Sequence, residues 1–138
     1  MKLLRVGIKG KEKPAILEAN GKIRDISSHV SDLNPHNLNF ETISKIQSVD
    51  TSSLPEFSSD QRIGSCITSP GKFVAIGLNY SDHAAEVGAE IPKEPIMFMK
   101  ATSSMCGPND DVEIVSGSKK LDWEVELGIV IGLSLIHI

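Results

Sequence analysis

The chain has 138 residues, of which 40% are hydrophobic and 23% charged, and this composition is typical of a soluble globular protein rather than a disordered or fibrous one. A net charge of −4, few aromatic residues and no block of lysine or arginine argue against a nucleic-acid surface. Apolar runs are far shorter than the ~20 residues that cross a bilayer, and the N-terminus lacks the apolar region of a signal peptide. We therefore expect a cytoplasmic protein that binds neither nucleic acid nor membranes.

The first sixty residues are predicted to form a small β-rich domain. Residues 3–9 alternate weakly between apolar and polar side chains, which indicates a strand, and a second strand is expected over 15–19. Asn20 and Gly21 are a strong signal for a two-residue hairpin turn. The turn leads into a third predicted strand over 22–26.

One short helix is expected in this domain. Phe40, Ile43 and Ile46 recur every three residues, which is helical spacing, and they predict a helix over 39–46. The stretch that follows is poor in apolar residues and rich in serine and aspartate, so it is predicted to be a connector. We place a domain boundary near residue 60.

Beyond the boundary the pattern changes. Residues 72–76 (KFVAI) have the character of a short buried strand, and a helix is predicted from Tyr80 to Val87. Gly88 is a natural C-terminal stop for that helix. Further strands are expected over 96–100 and 112–115.

Residues 122–132 (DWEVELGIVIG) give the clearest strand signal in the chain. Alternation with a period of two places Glu124 and Glu126 on one face, roughly 6.5 Å apart at the backbone, where both carboxylates can converge on one hard cation. The alternative is an amphipathic strand with a solvated acidic face. Because Asp122 shares that face, three acidic residues would repel one another unless something positive lies against them.

His83 and Glu86 form a second candidate site. They are three residues apart and so share one face of the predicted helix, where the carboxylate can orient the imidazole and raise its basicity. Such a pair can activate water. A surface pair worth a few tenths of a kcal/mol is the ordinary alternative. The position just after a strand favours a site, because sites tend to be built at strand ends.

Lys100 is a third candidate, at the end of a predicted strand and followed by hydroxyl residues. It could bind a substrate carboxylate. A lysine that extends from a strand edge into solvent explains the same pattern equally well. Residues 107–110 (GPND) are predicted to form a turn.

Three segments in this order, KFVAIGLNYSDHAAE, EPIMFMKATSSMCGPNDDVEI and DWEVELGIVIG, resemble the fumarylacetoacetate hydrolase family. The similarity is greatest to its bacterial 2,4-diketo-3-deoxy-sugar-acid hydrolases, often named ureidoglycolate lyases, and it extends over residues 1–132. The resemblance implies a mainly β, α+β fold. Residues 1–60 would be a small N-terminal β domain with a linker, and 61–132 the first part of a metal-dependent catalytic domain, an incomplete mixed β-roll.

The resemblance also implies roles for individual residues. Glu124 and Glu126 would hold Mg²⁺ or Mn²⁺ together with a later aspartate, and His83 with Glu86 would be the catalytic dyad. Tyr80 and Lys100 are expected to contact the substrate.

The reaction that the resemblance implies is metal-dependent hydrolysis of a C–C bond in a 2,4-dioxo acid, by a homodimer. The products would be pyruvate and a second acid or hydroxy acid. Decarboxylation, hydration, isomerisation and ureidoglycolate cleavage, which related members catalyse, stay open as alternatives.

Residues 133–138 (LSLIHI) depart from the family pattern. They are the translation of the start of a transposase adapter used in sequencing libraries, so we expect a non-native tail. The third metal ligand and a catalytic lysine would then lie beyond this chain, which as it stands would be an inactive fragment. A small β-rich binding module without a metal is the remaining alternative.

Overall fold

The computed structural model describes residues 1–132, and the chain divides into two compact units. The first unit combines residues 1–68 with the described segment 106–132, and the second contains residues 69–105. Short strands and a few short helices make up the regular structure, which confirms the predicted mainly β, α+β class. The domain boundary near residue 60 stays a prediction. The expected non-native tail, 133–138, lies outside the described residues.

A four-stranded antiparallel sheet is the frame of the first unit. Its strands, in spatial order, are β1 (Lys2–Val6), β2 (Lys13–Leu17), β3 (Ile23–Asp25) and β4 (Glu56–Phe57). The three predicted strands are thus confirmed with shifted ends. The predicted two-residue turn between β2 and β3 is a three-residue loop, 19–21. The loop is longer because the last hydrogen bond of the hairpin joins the Glu18 N–H to the Lys22 carbonyl at 2.9 Å. β4 was not predicted: it lies in the polar connector and pairs with β3.

Helix α1 (Phe40–Gln47) confirms the helix predicted over 39–46. Asn39 caps it, since its side-chain Oδ1 accepts the Thr42 N–H at 2.8 Å. The core of the unit is a cluster of buried side chains from the helix, the sheet and the segment after β3: Ile16, Ile26, Val30 and Ile46. Burial of each such side chain stabilises the fold by about 1.5–3 kcal/mol.

The second unit is a two-stranded antiparallel sheet with a short helix between its strands. The elements are β5 (Val74–Gly77), α2 (Ser81–Glu86) and β6 (Ile96–Met99), close to their predicted bounds. Gly88 ends α2 as expected, with a φ of 66°, while the N–H groups of Gly88 and Ala89 donate to the carbonyls of Ala85 and Ala84. Within residues 1–132, no helix has the length and apolar character needed to span a membrane.

The strands predicted over 112–115 and 122–132 are wrong. Among the described residues neither segment forms a strand or joins a sheet. Their apolar side chains are exposed, with Trp123 at 78% and Ile129 at 77%. Alternation decides which residues would share a face, but a strand exists only where a neighbour completes its hydrogen bonds. Among residues 1–132 no strand lies in a sheet beside either segment.

Candidate active site

The junction between β5 and α2 has an unusual backbone. After β5 ends at Gly77, Leu78 adopts the left-handed conformation with a φ of 50°, which is rare for a large side chain. Tyr80 then occupies the N-cap position of α2, and its carbonyl accepts the Ala84 N–H at 3.2 Å. Such a backbone costs on the order of 1–3 kcal/mol and tends to persist where a site requires it. Leu78 therefore draws attention to this turn independently of the side chains that follow it.

His83 and Glu86 meet on one face of α2, as their spacing predicts. His83 Nδ1 lies 3.3 Å from Glu86 Oε2. The His83 side chain is about half exposed and that of Glu86 mostly exposed, so the pair adds little to stability. Its chemical consequence is orientation, because a carboxylate that accepts from the Nδ1–H group fixes the ring and its tautomer. The other ring nitrogen, Nε2, is then the one to face water or substrate.

The two residues expected to contact substrate lie at opposite ends of the β5–β6 sheet. Tyr80 follows the end of β5, whereas the Lys100 N–H donates to the Phe73 carbonyl at 2.9 Å, beside the start of β5. A strand of four residues separates those ends by about 10 Å. The structure therefore does not bring the Lys100 backbone to the dyad. A role for either residue in substrate binding stays a prediction.

Glu124 and Glu126 belong to the first unit and are exposed on the segment that lacks strand pairing. Their carboxylates are the hard oxygen donors that Mg²⁺ and Mn²⁺ prefer, and one or two carboxylates completed by water and substrate are a common protein contribution to a Mg²⁺ site. The donor chemistry thus fits a divalent cation. Among the described residues, no group of three or more His, Cys, Asp or Glu side chains is placed to hold a metal.

Comparison with known proteins finds similarity to one protein family and to several bacterial relatives. Residues 72–138 match the family described as fumarylacetoacetate (FAA) hydrolase C-terminal. Relatives include proteins of Burkholderia ambifaria (56% identical), Burkholderia lata (55%) and Burkholderia multivorans (55%), each matched over 132 residues, or 96% of this chain and 47% of the relative. Each carries the name "Putative hydrolase". The chain thus spans about half the length of the curated relatives it matches.

The family match begins just before β5 and contains every residue of this chain that is predicted to act in the site. It shows that this part of the chain is similar to the FAA hydrolase family. It does not distinguish the sugar-acid hydrolases from other members. The spacing correctly predicts that His83 and Glu86 share a helix face, while their catalytic role stays a prediction. Sequence reasoning missed Leu78, because no sequence signal marks a leucine that will adopt a left-handed backbone.

Proposed function

We propose that the protein is a member of the FAA hydrolase family that hydrolyses a C–C bond of a 2,4-dioxo acid, either an acylpyruvate or a 2,4-diketo-3-deoxy sugar acid. The observation that carries this proposal is the 3.3 Å contact between His83 Nδ1 and Glu86 Oε2. The contact lies on a helix that follows a strand and a left-handed turn, within the residues that match the family.

In the proposed reaction, His83 acts as a general base. Its Nε2 takes a proton from water, and the hydroxide oxygen bonds to the C4 carbonyl carbon of the substrate. The C3–C4 bond then breaks, and its electron pair remains on C3, which gives the enolate of pyruvate and a carboxylic acid from the C4 side. Protonation of C3 completes the products. Glu86 holds the imidazole through Nδ1 and stabilises the imidazolium that forms.

We assign the remaining predicted residues to binding. Glu124 and Glu126 would supply two carboxylates to Mg²⁺ or Mn²⁺, supported by their donor chemistry and by their place within the family match. The bound ion would supply positive charge near the anionic oxygens of the substrate. Tyr80 and Lys100 would contact polar groups of the substrate. The active form is proposed to be a cytoplasmic homodimer.

The activity is proposed for a protein with the length of the relatives. In the 138-residue chain, the segment that carries both glutamates exposes its apolar side chains, including Val125 at 75% and Ile131 at 73%. A cation site on such a segment is not held in place, because the ligands of a working site need packed support. We therefore expect this chain by itself to lack the activity.

The test compares two histidine variants in a full-length protein that includes the second half found in the relatives. His83→Ala should lower kcat for acylpyruvate hydrolysis by about 10² to 10⁴-fold, the usual contribution of a general base. His36→Ala, at an exposed histidine of the first unit, is the matched control and should leave kcat unchanged. If His83→Ala keeps kcat within a factor of a few of wild type, the role assigned to His83 is wrong. If the wild-type protein hydrolyses no 2,4-dioxo acid, the reaction class is wrong.

A further inference from the structure

Five charged side chains of the first unit form a continuous series of ion pairs, which we call the ionic clamp. In order of contact its members are Asp32, Arg5, Glu12, Arg62 and Asp110. They come from distant parts of the sequence, and none of them belongs to the candidate active site.

The inner half of the clamp is buried. The Arg5 and Glu12 side chains are each only 6% exposed. Arg5 Nε donates to Asp32 Oδ1 at 2.7 Å, and its Nη2 donates to Asp32 Oδ2 at 3.0 Å and to Glu12 Oε2 at 3.4 Å. Buried charges are stable only with well-placed partners, so this half is a fixed part of the N-terminal fold.

The outer half joins that fold to the turn at 107–110. Arg62 Nη1 donates to Glu12 Oε1 at 2.7 Å. Its Nε and Nη2 donate to the two carboxylate oxygens of Asp110, both at 2.6 Å. This two-point arrangement is the strongest common form of arginine–carboxylate contact. Asp110 Oδ2 also accepts the Gly107 N–H at 2.7 Å, and the Asp110 N–H donates to the Gly107 carbonyl at 3.2 Å, which confirms the predicted turn.

Close packing of the backbone at Gly107 is a second observation, independent of charge, that the 107–110 turn contacts the chain near Arg62. A Cβ atom on Gly107 would lie 2.2 Å from the Ile63 carbonyl oxygen, so the turn backbone packs against the chain at Ile63 with no room for a side chain. The backbone around Ile63 is itself hydrogen-bonded to β1 at the edge of the sheet. The Gly64 N–H donates to the Arg5 carbonyl at 2.7 Å, and the Gly7 N–H donates to the Arg62 carbonyl at 2.9 Å.

From these contacts we propose that Arg62, supported by Glu12, is a docking site for the 107–110 turn, and that Asp110 is the group it binds. The site would fix where the segment that carries Glu124 and Glu126 leaves the N-terminal sheet. The N-terminal sheet, to which the chain at Arg62–Gly64 is hydrogen-bonded, would then position the start of that segment. This inference concerns the chain itself and does not depend on the proposed reaction.

Hydrogen exchange of backbone amides in the 138-residue chain tests the docking site. Asp110→Asn keeps the shape of the side chain but removes the charge that Arg62 binds. We expect the hydrogen-bonded amides of the turn, at Gly107 and at position 110, to exchange about tenfold faster or more, because local opening controls their exchange. Asp111→Asn, at the exposed neighbouring aspartate, is the matched control and should change nothing.

A second variant changes the other partner of the contact, Arg62. Arg62→Lys keeps the positive charge and leaves the bonds between Gly107 and Asp110 available, but a lysine cannot form the two-point contact. It should also accelerate exchange at 107–110, and adding Asp110→Asn to it should produce little further change. Amides of β2 and β3 report in every variant whether the sheet is still folded.

Three results would overturn the proposal. The first is exchange at 107–110 that stays at the wild-type rate in Asp110→Asn or in Arg62→Lys. The second is acceleration of the sheet amides together with the turn, which would mean that the clamp stabilises the whole domain and does not dock the turn. The third is an equal effect of Asp111→Asn, which would indicate a general effect of charge.

Discussion

The N-terminal sheet and the segment 111–132 differ in what they do with their apolar residues. Ile46 of α1 is 1% exposed and packs in the core cluster, whereas Ile129 is 77% exposed. The sheet has four paired strands and a helix to cover it, whereas among the described residues the segment belongs to no sheet. The difference shows that a partner, rather than an apolar pattern, determines whether a side chain is buried.

In the burial of its apolar side chains, the second unit is intermediate between the sheet and the segment. β5 and β6 are fully paired with each other, but Met97, Phe98 and Met99 are 70%, 46% and 59% exposed. A two-stranded sheet by itself is only marginally stable in water, because it has too little apolar surface to bury. The dyad therefore lies on locally ordered structure with few packing contacts, and the N-terminal sheet carries most of the stability.

Matched isoleucine variants test the contrast most strongly. Ile46→Ala should lower the free energy of unfolding by about 2–5 kcal/mol, since it leaves a cavity in the core. Ile129→Ala should change it by less than about 0.5 kcal/mol, as expected for an exposed position. Urea denaturation of the 138-residue chain measures both. Equal losses in the two variants would show that the segment is packed after all.

The proposed metal ligands give the next largest effect, in the full-length protein. Glu124→Gln and Glu126→Gln should each weaken Mg²⁺ binding by about tenfold or more, because a neutral amide is a poor replacement for an anionic oxygen on a hard cation. Glu113→Gln, at another exposed glutamate of the same region, is the control. If calorimetry finds unchanged Mg²⁺ affinity in both variants, the two glutamates are not metal ligands. The alternative, a solvated acidic face, would then explain them.

A smaller effect is expected at the start of α1. Asn39→Ala removes the acceptor for the Thr42 N–H and should lower the free energy of unfolding by about 1 kcal/mol. Asn39→Asp retains an acceptor at the same place and should remain close to wild type. A thermal melt in which both variants lose the same stability would mean that the cap does not act through this hydrogen bond.

The most gradual effect is the response to acid. Burial raises the pKa of Glu12, but the hydrogen bond from Arg62 and the charge of Arg5 outweigh it and hold that pKa below its ordinary value of 4.5. Hydrogen bonds from Arg62 and from the Gly107 N–H lower the pKa of Asp110 to about 2. Both carboxylates therefore stabilise the fold above the pKa values of the unfolded chain, and this stability is lost as the pH falls from about 4.5 towards 2.

The midpoint of urea unfolding, measured from pH 6 to pH 3, checks the acid response. It should stay level down to about pH 5 and then fall. Asp110→Asn should flatten part of that fall, because it removes one of the titrating groups. A midpoint that rises on acidification would contradict the ionic clamp.

Local patterns were enough to predict much of the fold. The hairpin after β2, the helix start at Asn39 and the helix stop at Gly88 each depend on residues close in sequence, as does the spacing of the dyad. Contacts between distant residues could not be predicted in this way. The pairing of Arg62 with Asp110 joins residues 48 positions apart. The turn at 107–110 was predicted, but no local pattern indicates that Arg62 would bind it.

The strand prediction over 122–132 is wrong because strand pairing, too, depends on residues distant in sequence. Its alternation is real, but no sequence pattern states which neighbour will pair with a strand, and residues 1–132 provide none for it. The geometry at Glu124 and Glu126 therefore could not be derived from alternation alone.

Water activation by His83 is the central claim, and two substrates assayed side by side test it most directly. The full-length wild type and His83→Ala are compared in hydrolysis of an acylpyruvate and in decarboxylation of oxaloacetate, which requires no attack by water. The account predicts that His83→Ala lowers hydrolysis by about 10² to 10⁴-fold while decarboxylation stays within a factor of a few of wild type. An equal loss of both reactions, or hydrolysis that survives the substitution, would contradict it.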